Sequence, residues 1–284
     1  MDGLYLYCIR EKIEGAEVFS MKGIDGKGEI FTLAYREVEA VVSEVLLKEF
    51  QSGEIRRKAR EDLSWIKEKA IVHEKIIEKA MRKNGKFSSL IPMRFGAIFR
   101  DTASLEDSLN RDYHKIREAL DRIRYKQEWG VKVYLRDREK FEQVVMKGNK
   151  KIKEIEKEIA SLPEGMAYFM EGELKEVIFR EQDKELCNME EALLKNLGRQ
   201  AAAFLKCKIL EREITGRGEP MVLNVAYLIP DEKEEDFKRD AGRLNREIQT
   251  KGFYLEYSGP WPAFNFSEAP ALHEVGQASR LSFA

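Results

Sequence analysis

The sequence predicts an α+β protein made of two ferredoxin-like α/β sandwich domains with long helices and an extended C-terminal tail. Short apolar strands alternate with long, charged helical stretches, and the second half follows the order β–α–α–β–α–β from about 128 to 259. At 284 residues the chain is long enough for two domains. We expect an N-terminal α+β domain at 1–126, a C-terminal ferredoxin-like domain at 127–266 and a tail at 267–284.

The first half begins with the aromatic and β-branched run LYLYCI at 4–9, which is typical of a buried strand. Two further strands are predicted at 30–35 and 38–45, followed by a long amphipathic helix at 54–83. The predicted inward stripe of that helix is Ala59, Leu63, Ile66, Ala70, His73, Ile77 and Ala80. Asn84–Gly85 is a suitable left-handed cap.

The stretch 87–101 is interrupted by Pro92 and Gly96, which predicts an edge strand, a kink and a second short strand. A helix at about 102–125 follows, with Asp101 or Thr102 as its cap. The alternation in 128–137 predicts a half-buried strand. Pro163 and Gly165 separate two predicted helices. The first, at 147–165, is densely charged with a narrow apolar stripe, and the second, at 170–213, is longer.

The longer helix is expected to bury Leu186, Met189, Leu193, Leu197 and Phe204. The run MVLNVAYLI at 221–229 is apolar on both faces and predicts a central strand. A helix at 231–252 then turns Phe237, Ala241, Leu244 and Ile248 inward. It returns the chain so that a last strand, 253–259, joins the sheet beside 221–229.

The composition excludes several classes of protein. Lys and Arg number 50 against 51 Asp and Glu, and this near balance argues against a broad nucleic-acid footprint. Cys8, Cys187 and Cys207 show no C-x-x-C spacing, so neither a disulfide framework nor a zinc site is expected, and a reducing cytosol is the simplest location. Neither a signal peptide nor an 18-residue apolar window is present in the sequence.

The residues that carry chemistry in enzymes are scattered in this sequence. His73, His114 and His273 lie on separate segments, and His73 falls on an apolar stripe, where a packed structural histidine is the favoured interpretation. The glycine clusters at 22–29 and 215–220 match no phosphate-binding loop and favour tight turns. We therefore expect no catalysis, no cofactor and no metal.

Arg94-Phe95-Gly96 is one candidate binding segment. A guanidinium there suits a carboxylate on a partner, presented by a recognition hairpin. The alternative is an edge strand on which Pro92 blocks aggregation and Arg94 is solvated. The residues alone leave both interpretations open.

GPWPAFNF at 259–266 is the second candidate segment. Pro260 and Pro262 restrict the backbone, so the aromatic side chains are displayed at low ordering cost. These rings either pack onto their own domain or offer an apolar platform to a partner. We expect Trp261 to be structural, with Phe264 and Phe266 nearer the partner surface.

Several of these stretches together resemble the GvpF/GvpL family of gas-vesicle proteins: LYLYCI, LIPMRFGAIFRD, EWGVKVYL, LNVAYLIPDEKEEDF and GPWPAFNF. Their order and spacing cover nearly the whole chain, although Cys8 stands where the family pattern has a small residue, often glycine. The resemblance implies two α+β domains. It also implies an accessory protein, in the gas vesicle and the cytoplasm, that binds the hydrophobic GvpA-type shell protein and other accessory proteins during vesicle nucleation and assembly.

The alternative function is a ferredoxin-like nucleic-acid-binding or regulatory module, since such sheets can bind RNA. The near-zero net charge of -1 and the missing aromatic RNA-binding signature count against it.

Overall fold

The computed structural model describes residues 2–13, 19–50, 52–83 and 86–267. The predicted cap at Asn84–Gly85 and the tail from 268 onward lie outside these described residues. The predicted fold class is confirmed, because two sheets are each packed with helices. The chain divides into unit one, Met1–Glu128 together with the chain from Pro260 onward, and unit two, Trp129–Gly259.

The chain enters unit two close to the expected boundary at 126/127, but it returns to unit one after Gly259, which was not expected. Residues 260–266 group with unit one, whereas the sequence placed them in the C-terminal domain. The physical reason is a pair of hydrogen bonds between Asn265 and Glu128, described below.

The described part of unit one has its first strand at the centre of its sheet. The sheet order is β2-β3-β1-β6, and β7 also pairs with β1. In chain order its elements are β1 (Asp2–Glu11), β2 (Ile30–Tyr35), β3 (Val38–Leu46), α1 (Leu47–Phe50), α2 (Ser52–Glu61), α3 (Leu63–Ala80), β4 (Arg82–Lys83), β5 (Lys86–Phe87), β6 (Leu90–Pro92), β7 (Ile98–Phe99) and α4 (Thr102–Ile123). The strands predicted at 4–9, 30–35 and 38–45 are confirmed.

The single helix predicted at 54–83 is wrong, because α2 and α3 are separate helices that meet at Asp62. The Asp62 carboxylate caps α3 by accepting the backbone N–H of Trp65 at 2.9 Å. A new helix start changes the phase of the stripe, so Leu63 is 59% exposed. Ile66, His73, Ile77 and Ala80 are buried, as predicted.

A buried ion pair ties the sheet of unit one to a helix. Arg10 on β1 is fully buried and donates from Nε to Glu39 on β3 at 2.8 Å. Its Nη1 donates to the carbonyl of Ala80 at 2.6 Å. Because Ala80 ends α3, the guanidinium satisfies a helix carbonyl that has no partner within the helix.

Unit two carries the β-α-β-β-α-β order of ferredoxin-like folds, with the sheet order β11-β8-β10-β9. Strand β8 starts just before the unit. The remaining elements continue the numbering: β8 (Lys126–Leu135), α5 (Arg138–Gly148), α6 (Lys150–Ile159), α7 (Glu164–Gly198), β9 (Ala203–Lys206), α8 (Arg212–Thr215), β10 (Met221–Pro230), a 3-10 turn (Asp231–Lys233), α9 (Glu234–Gln249) and β11 (Phe253–Trp261).

Two predictions for unit two are wrong, and they share one cause. Helix α7 ends at Gly198 instead of continuing to 213, and Phe204 lies on strand β9, opposite Tyr227 of β10. Because β9 occupies that side of β10, the last strand lies beside β8 and not beside 221–229. Phe204 is consequently 47% exposed rather than a core residue of a helix.

The core of unit two otherwise follows the predicted pattern. Phe237, Ala241, Leu244 and Ile248 of α9 are all buried. No helix in the described part of the chain combines the length and apolar character that crossing a membrane requires.

One glycine of unit two is required by both its conformation and its surroundings. Gly252, between α9 and β11, has a φ of 92°. Its carbonyl accepts the backbone N–H groups of Arg136 and Asp137 at 2.9 and 3.0 Å. A Cβ at this position would lie 2.4 Å from the carbonyl oxygen of Asp137, so only glycine fits the connection.

Candidate functional site

The segment around Arg94 is a bulge in one interrupted edge strand. Strands β6 and β7 both pair with β1, through Cys8↔Pro92 and Tyr5↔Ile98. The five residues 93–97 therefore stand opposite two residues of β1, and the chain must loop out between the two pairings. Bulges of this kind redirect side chains away from the sheet.

A buried chain of hydrogen bonds holds this bulge in place. The N–H of Gly96 donates to the Tyr5 hydroxyl at 3.0 Å, and that hydroxyl lies 3.1 Å from Nδ1 of His73. Nε2 of His73 lies 3.0 Å from the carbonyl of Met93. These partners fix the proton positions, because the carbonyl requires an Nε2–H donor and Nδ1 must then accept from Tyr5.

His73 is consequently a neutral structural residue. Burial lowers the pKa of His73 to about 4, against the opposing effect of its hydrogen bond to the Met93 carbonyl. Both ring nitrogens are engaged inside the fold. The interpretation of His73 as a packed histidine, drawn from its place on the apolar stripe, agrees with this geometry.

The side chains that the bulge turns outward differ in exposure. Arg94 is exposed, whereas Phe95 is half-buried and makes edge contacts with the rings of Tyr5 and His73 at 6.2 and 5.8 Å. Gly96, with a φ of 90°, closes the loop. The predicted edge strand, kink and second short strand are confirmed as β6, the bulge and β7, and Arg94 lies on the bulge.

The segment 260–267 is anchored through Glu128. The backbone N–H and side-chain amide of Asn265 donate to the two oxygens of the Glu128 carboxylate at 2.9 and 2.6 Å. Burial raises the pKa of Glu128, while the two hydrogen bonds from Asn265 oppose that shift. Glu128 precedes Trp129 in the EWG motif, so two separate sequence motifs meet at this pair.

The aromatic residues of this segment face in different directions. Trp261 is 41% exposed and Phe264 is 47% exposed, whereas Phe266 is 9% exposed and counts with the core. Outward display of Phe266 is therefore corrected, because the turn at 263–267, closed by the bond from the Ser267 N–H to the Ala263 carbonyl, directs its ring inward. Trp261, which was expected to be structural, is therefore exposed to a similar extent as Phe264.

The two predicted segments both belong to unit one but depend on different supports. Tyr5 and His73 hold the bulge, whereas Glu128 holds the segment 260–267. They are therefore two separate candidate contacts, and the second carries the exposed rings of Trp261 and Phe264.

The sequence interpretation missed a third apolar surface, on helix α7 of unit two. Tyr168, Phe169 and Phe179 are 75%, 77% and 63% exposed. At 100° per residue Tyr168 and Phe179 lie roughly opposite the buried Val177, and Phe169 lies about 80° from it. The helical period gave no signal for these rings, because Tyr168 and Phe179 share the angular positions of Leu186 and Leu197, which were predicted to face inward.

Within residues 2–13, 19–50, 52–83 and 86–267, no group of three or more His, Cys, Asp or Glu side chains is arranged to hold a metal ion. Of the cysteines, Cys8 is buried and Cys187 is exposed.

These features define a two-unit α+β protein with a ferredoxin-like second unit and rigidly held surface aromatics. The model of the gas vesicle synthesis protein GvpL/GvpF family matches residues 3–268, and the chain belongs to this family. It is 23% identical to gas vesicle protein L of Streptomyces sp. (strain CB03234), covering 97% of both chains. It is 22% identical to gas vesicle protein F1 of Halobacterium salinarum, covering 98% of this chain and 99% of that protein.

Two crystal structures share the fold. GvpF from Anabaena sp. PCC7120 superimposes with a TM-score of 0.72 at 18% identity, over 94% of this chain and 99% of that one. GvpF from Microcystis aeruginosa superimposes with a TM-score of 0.65 at 20% identity, over the same shares of the two chains.

Proposed function

We propose that this chain is a gas-vesicle accessory protein of the cytoplasm and the vesicle, and that it binds the hydrophobic shell protein and other accessory proteins during nucleation and assembly. Family membership supports the vesicle role. A shell subunit built to line a gas phase exposes apolar surface that aggregates in water, so a binding partner that covers this surface serves assembly directly.

One observation carries the choice of surface. Trp261 and Phe264 are 41% and 47% exposed on a segment that two hydrogen bonds between Asn265 and Glu128 anchor. An aromatic ring that is already ordered loses little conformational entropy when a partner covers it. Exposed, preorganised aromatics are therefore suited to bind an apolar partner.

The role we propose is binding, without catalysis. The buried histidine that might have served as a base is neutral and engaged on both nitrogens. The aromatic face of α7 is a rival surface for the same apolar partner, and the experiment must separate the two.

The full chain is co-purified with the shell protein, crosslinked for mass spectrometry and titrated for affinity. The test variant is Trp261→Ala/Phe264→Ala, and the matched control is Phe169→Ala/Phe179→Ala on α7. We expect the test variant to lose about thirtyfold or more in affinity, the usual loss for a truncated hot-spot aromatic of about 2 kcal/mol. The control should bind like the wild type.

Both variants must melt near the wild-type temperature, since all four rings are substantially exposed. If affinity is unchanged in the folded test variant and lost in the control, the shell-binding surface lies on α7. If neither variant loses affinity, the proposal that exposed aromatics bind the shell protein is overturned.

A further inference from the structure

A second kind of site lies in unit two, on polar rather than apolar surface. A cavity of about 600 Å³ opens between the sheet and the connection that follows β9. This volume falls in the range of ordinary ligand pockets. The residues that matter for its chemistry are Lys132 of β8, Glu256 and Tyr257 of β11, and Ile214 and Arg217 of the connection.

Arg217 forms one wall of the cavity and is firmly held. Its Nη2 donates to both oxygens of Glu256 at 2.7 Å, and its Nη1 donates to the Tyr254 hydroxyl at 2.9 Å. The guanidinium also lies 4.9 Å from the centre of the Tyr134 ring. The preceding Gly216, with a φ of 66°, lets the chain turn so that Arg217 reaches the sheet.

Lys132 gives the cavity its unbalanced charge. It is half-buried on β8 and has no carboxylate partner among the residues that the structure describes. Glu256, the acidic residue of the cavity wall, is already bound to Arg217. The wall thus carries one uncompensated ammonium, whose three N–H groups can donate hydrogen bonds to a carboxylate.

Two apolar side chains of the connection, Leu210 and Ile214, line one side of the cavity, and Ile214 is 55% exposed. A ligand whose acidic group reaches Lys132 therefore meets apolar side chains at the entrance. The matching chemistry is an acidic side chain flanked by apolar ones.

We propose that this cavity is a recognition pocket for an Asp or Glu side chain, flanked by an apolar residue, on a partner polypeptide. This proposal uses none of the residues of the proposed shell-binding surface, so the two proposals can fail separately. A nucleotide fits less well, because the Tyr134 ring in the cavity wall is 2% exposed and offers no open face on which a base could stack.

The test uses the full chain and a matched pair of peptides, the acetylated tripeptide amide Leu-Glu-Phe and its Leu-Gln-Phe counterpart, titrated by ligand-observed NMR. We expect the acidic peptide to bind at least about tenfold more tightly than the neutral one, the discrimination typical of a hydrogen bond to a charged group. Lys132→Met should abolish this preference and Lys132→Arg should keep it. Lys208→Met, an exposed lysine outside the cavity wall, is the control.

Equal binding of the two peptides to the wild type would overturn the proposal. So would a Lys132→Met protein that keeps the preference. If Lys132→Met fails to fold, two other single variants decide. Lys132→Arg should keep the preference for the acidic peptide, and Ile214→Asp should weaken the binding of that peptide. A single-stranded oligonucleotide that displaces the acidic peptide through Lys132 would assign the pocket to nucleic acid and refute a polypeptide ligand.

Discussion

Glu128 and Asn265 lie 137 residues apart in the chain and are joined by two hydrogen bonds of 2.9 and 2.6 Å. Asn265 matches the carboxylate with one backbone and one side-chain donor. The pair fixes the segment that displays Trp261 and Phe264. A surface that would otherwise be a loose extension is therefore part of unit one.

Asn265→Ala should destabilise the anchored segment. It removes the side-chain donor and leaves a buried carboxylate short of one partner, which costs about 1.5–3 kcal/mol. Hydrogen exchange at residues 261–267 should speed up accordingly. In a double-mutant cycle with Glu128→Gln, the double variant should lose less stability than the sum of the losses in the two single variants. If the losses are fully additive, the two residues are not coupled.

His73 should make unit one less stable in mild acid. Its folded pKa of about 4 lies below the unfolded value of 6.5, so the unfolded chain binds the proton first. The free energy of unfolding then falls as the pH drops from 6.5 to 4, by roughly 3 kcal/mol at 1.36 kcal/mol per unit.

The comparison protein for this measurement is His73→Gln, which is less stable at pH 7 but cannot titrate at this position. Glu128 has a raised pKa in the folded state, so protonation of its carboxyl raises the free energy of unfolding as the pH falls. This contribution is the same in the wild type and in His73→Gln, so it cancels in the comparison. Urea unfolding at several pH values should show a smaller decline for the glutamine variant. Parallel curves would contradict the assignment of the acid sensitivity to His73.

Arg10→Met should be among the most damaging single changes in unit one. The substitution leaves the buried Glu39 carboxylate without its cation and removes the donor to the Ala80 carbonyl. Breaking a buried ion pair in this way lowers the free energy of unfolding by about 3–5 kcal/mol. Arg10→Met/Glu39→Leu should recover part of this loss, because no charge remains buried alone. If the double variant is less stable than Arg10→Met in chemical denaturation, the explanation by an unpaired charge is wrong.

Gly252→Ala should destabilise unit two by about 2 kcal/mol or more. The methyl group would meet the Asp137 carbonyl in a backbone conformation that disfavours a side chain. Gly218→Ala is the matched control, since a Cβ there has nothing within 4 Å. Its effect should stay within about 0.5 kcal/mol by thermal melting, as for most surface changes.

Much of the fold could be predicted from local patterns. The central strand at 4–9 is a compact β-branched and aromatic run, and the inward residues of α9 follow the helical period without interruption. Such signals are strong because each element buries one continuous face. The family resemblance added the function that periodicity could not supply.

The errors arose where tertiary pairing outweighed local preference. Residues 203–206 continue a helix-forming stretch, yet they form β9 because Val225–Leu228 of β10 offer a free edge. The start of α3 depended on one side chain, Asp62, capping a helix inside a longer periodic run. Neither event is visible in the spacing of apolar residues alone.

The binding role of 259–266 stays a prediction, but the exposure of its rings can be compared with the expectation. The direction of Phe266 depends on the turn that Ser267 closes, which the prolines around Trp261 do not indicate. The partner of Asn265 is 137 residues earlier in the chain, beyond the reach of any local pattern. The exposed rings of α7 could not be predicted from the helical period, because Tyr168 and Phe179 share the angular positions of Leu186 and Leu197.

The anchoring of residues 260–267 on Glu128 also sets an order of events during synthesis. A ribosome adding about 5–20 residues per second needs roughly 7–27 s to travel the 137 residues that separate Glu128 from Asn265. Throughout that interval the nascent chain carries an unfinished first unit with an unsatisfied carboxylate. The aromatic surface therefore acquires its final form only after Asn265 has been added, and a message truncated before residue 260 would yield a protein lacking that surface.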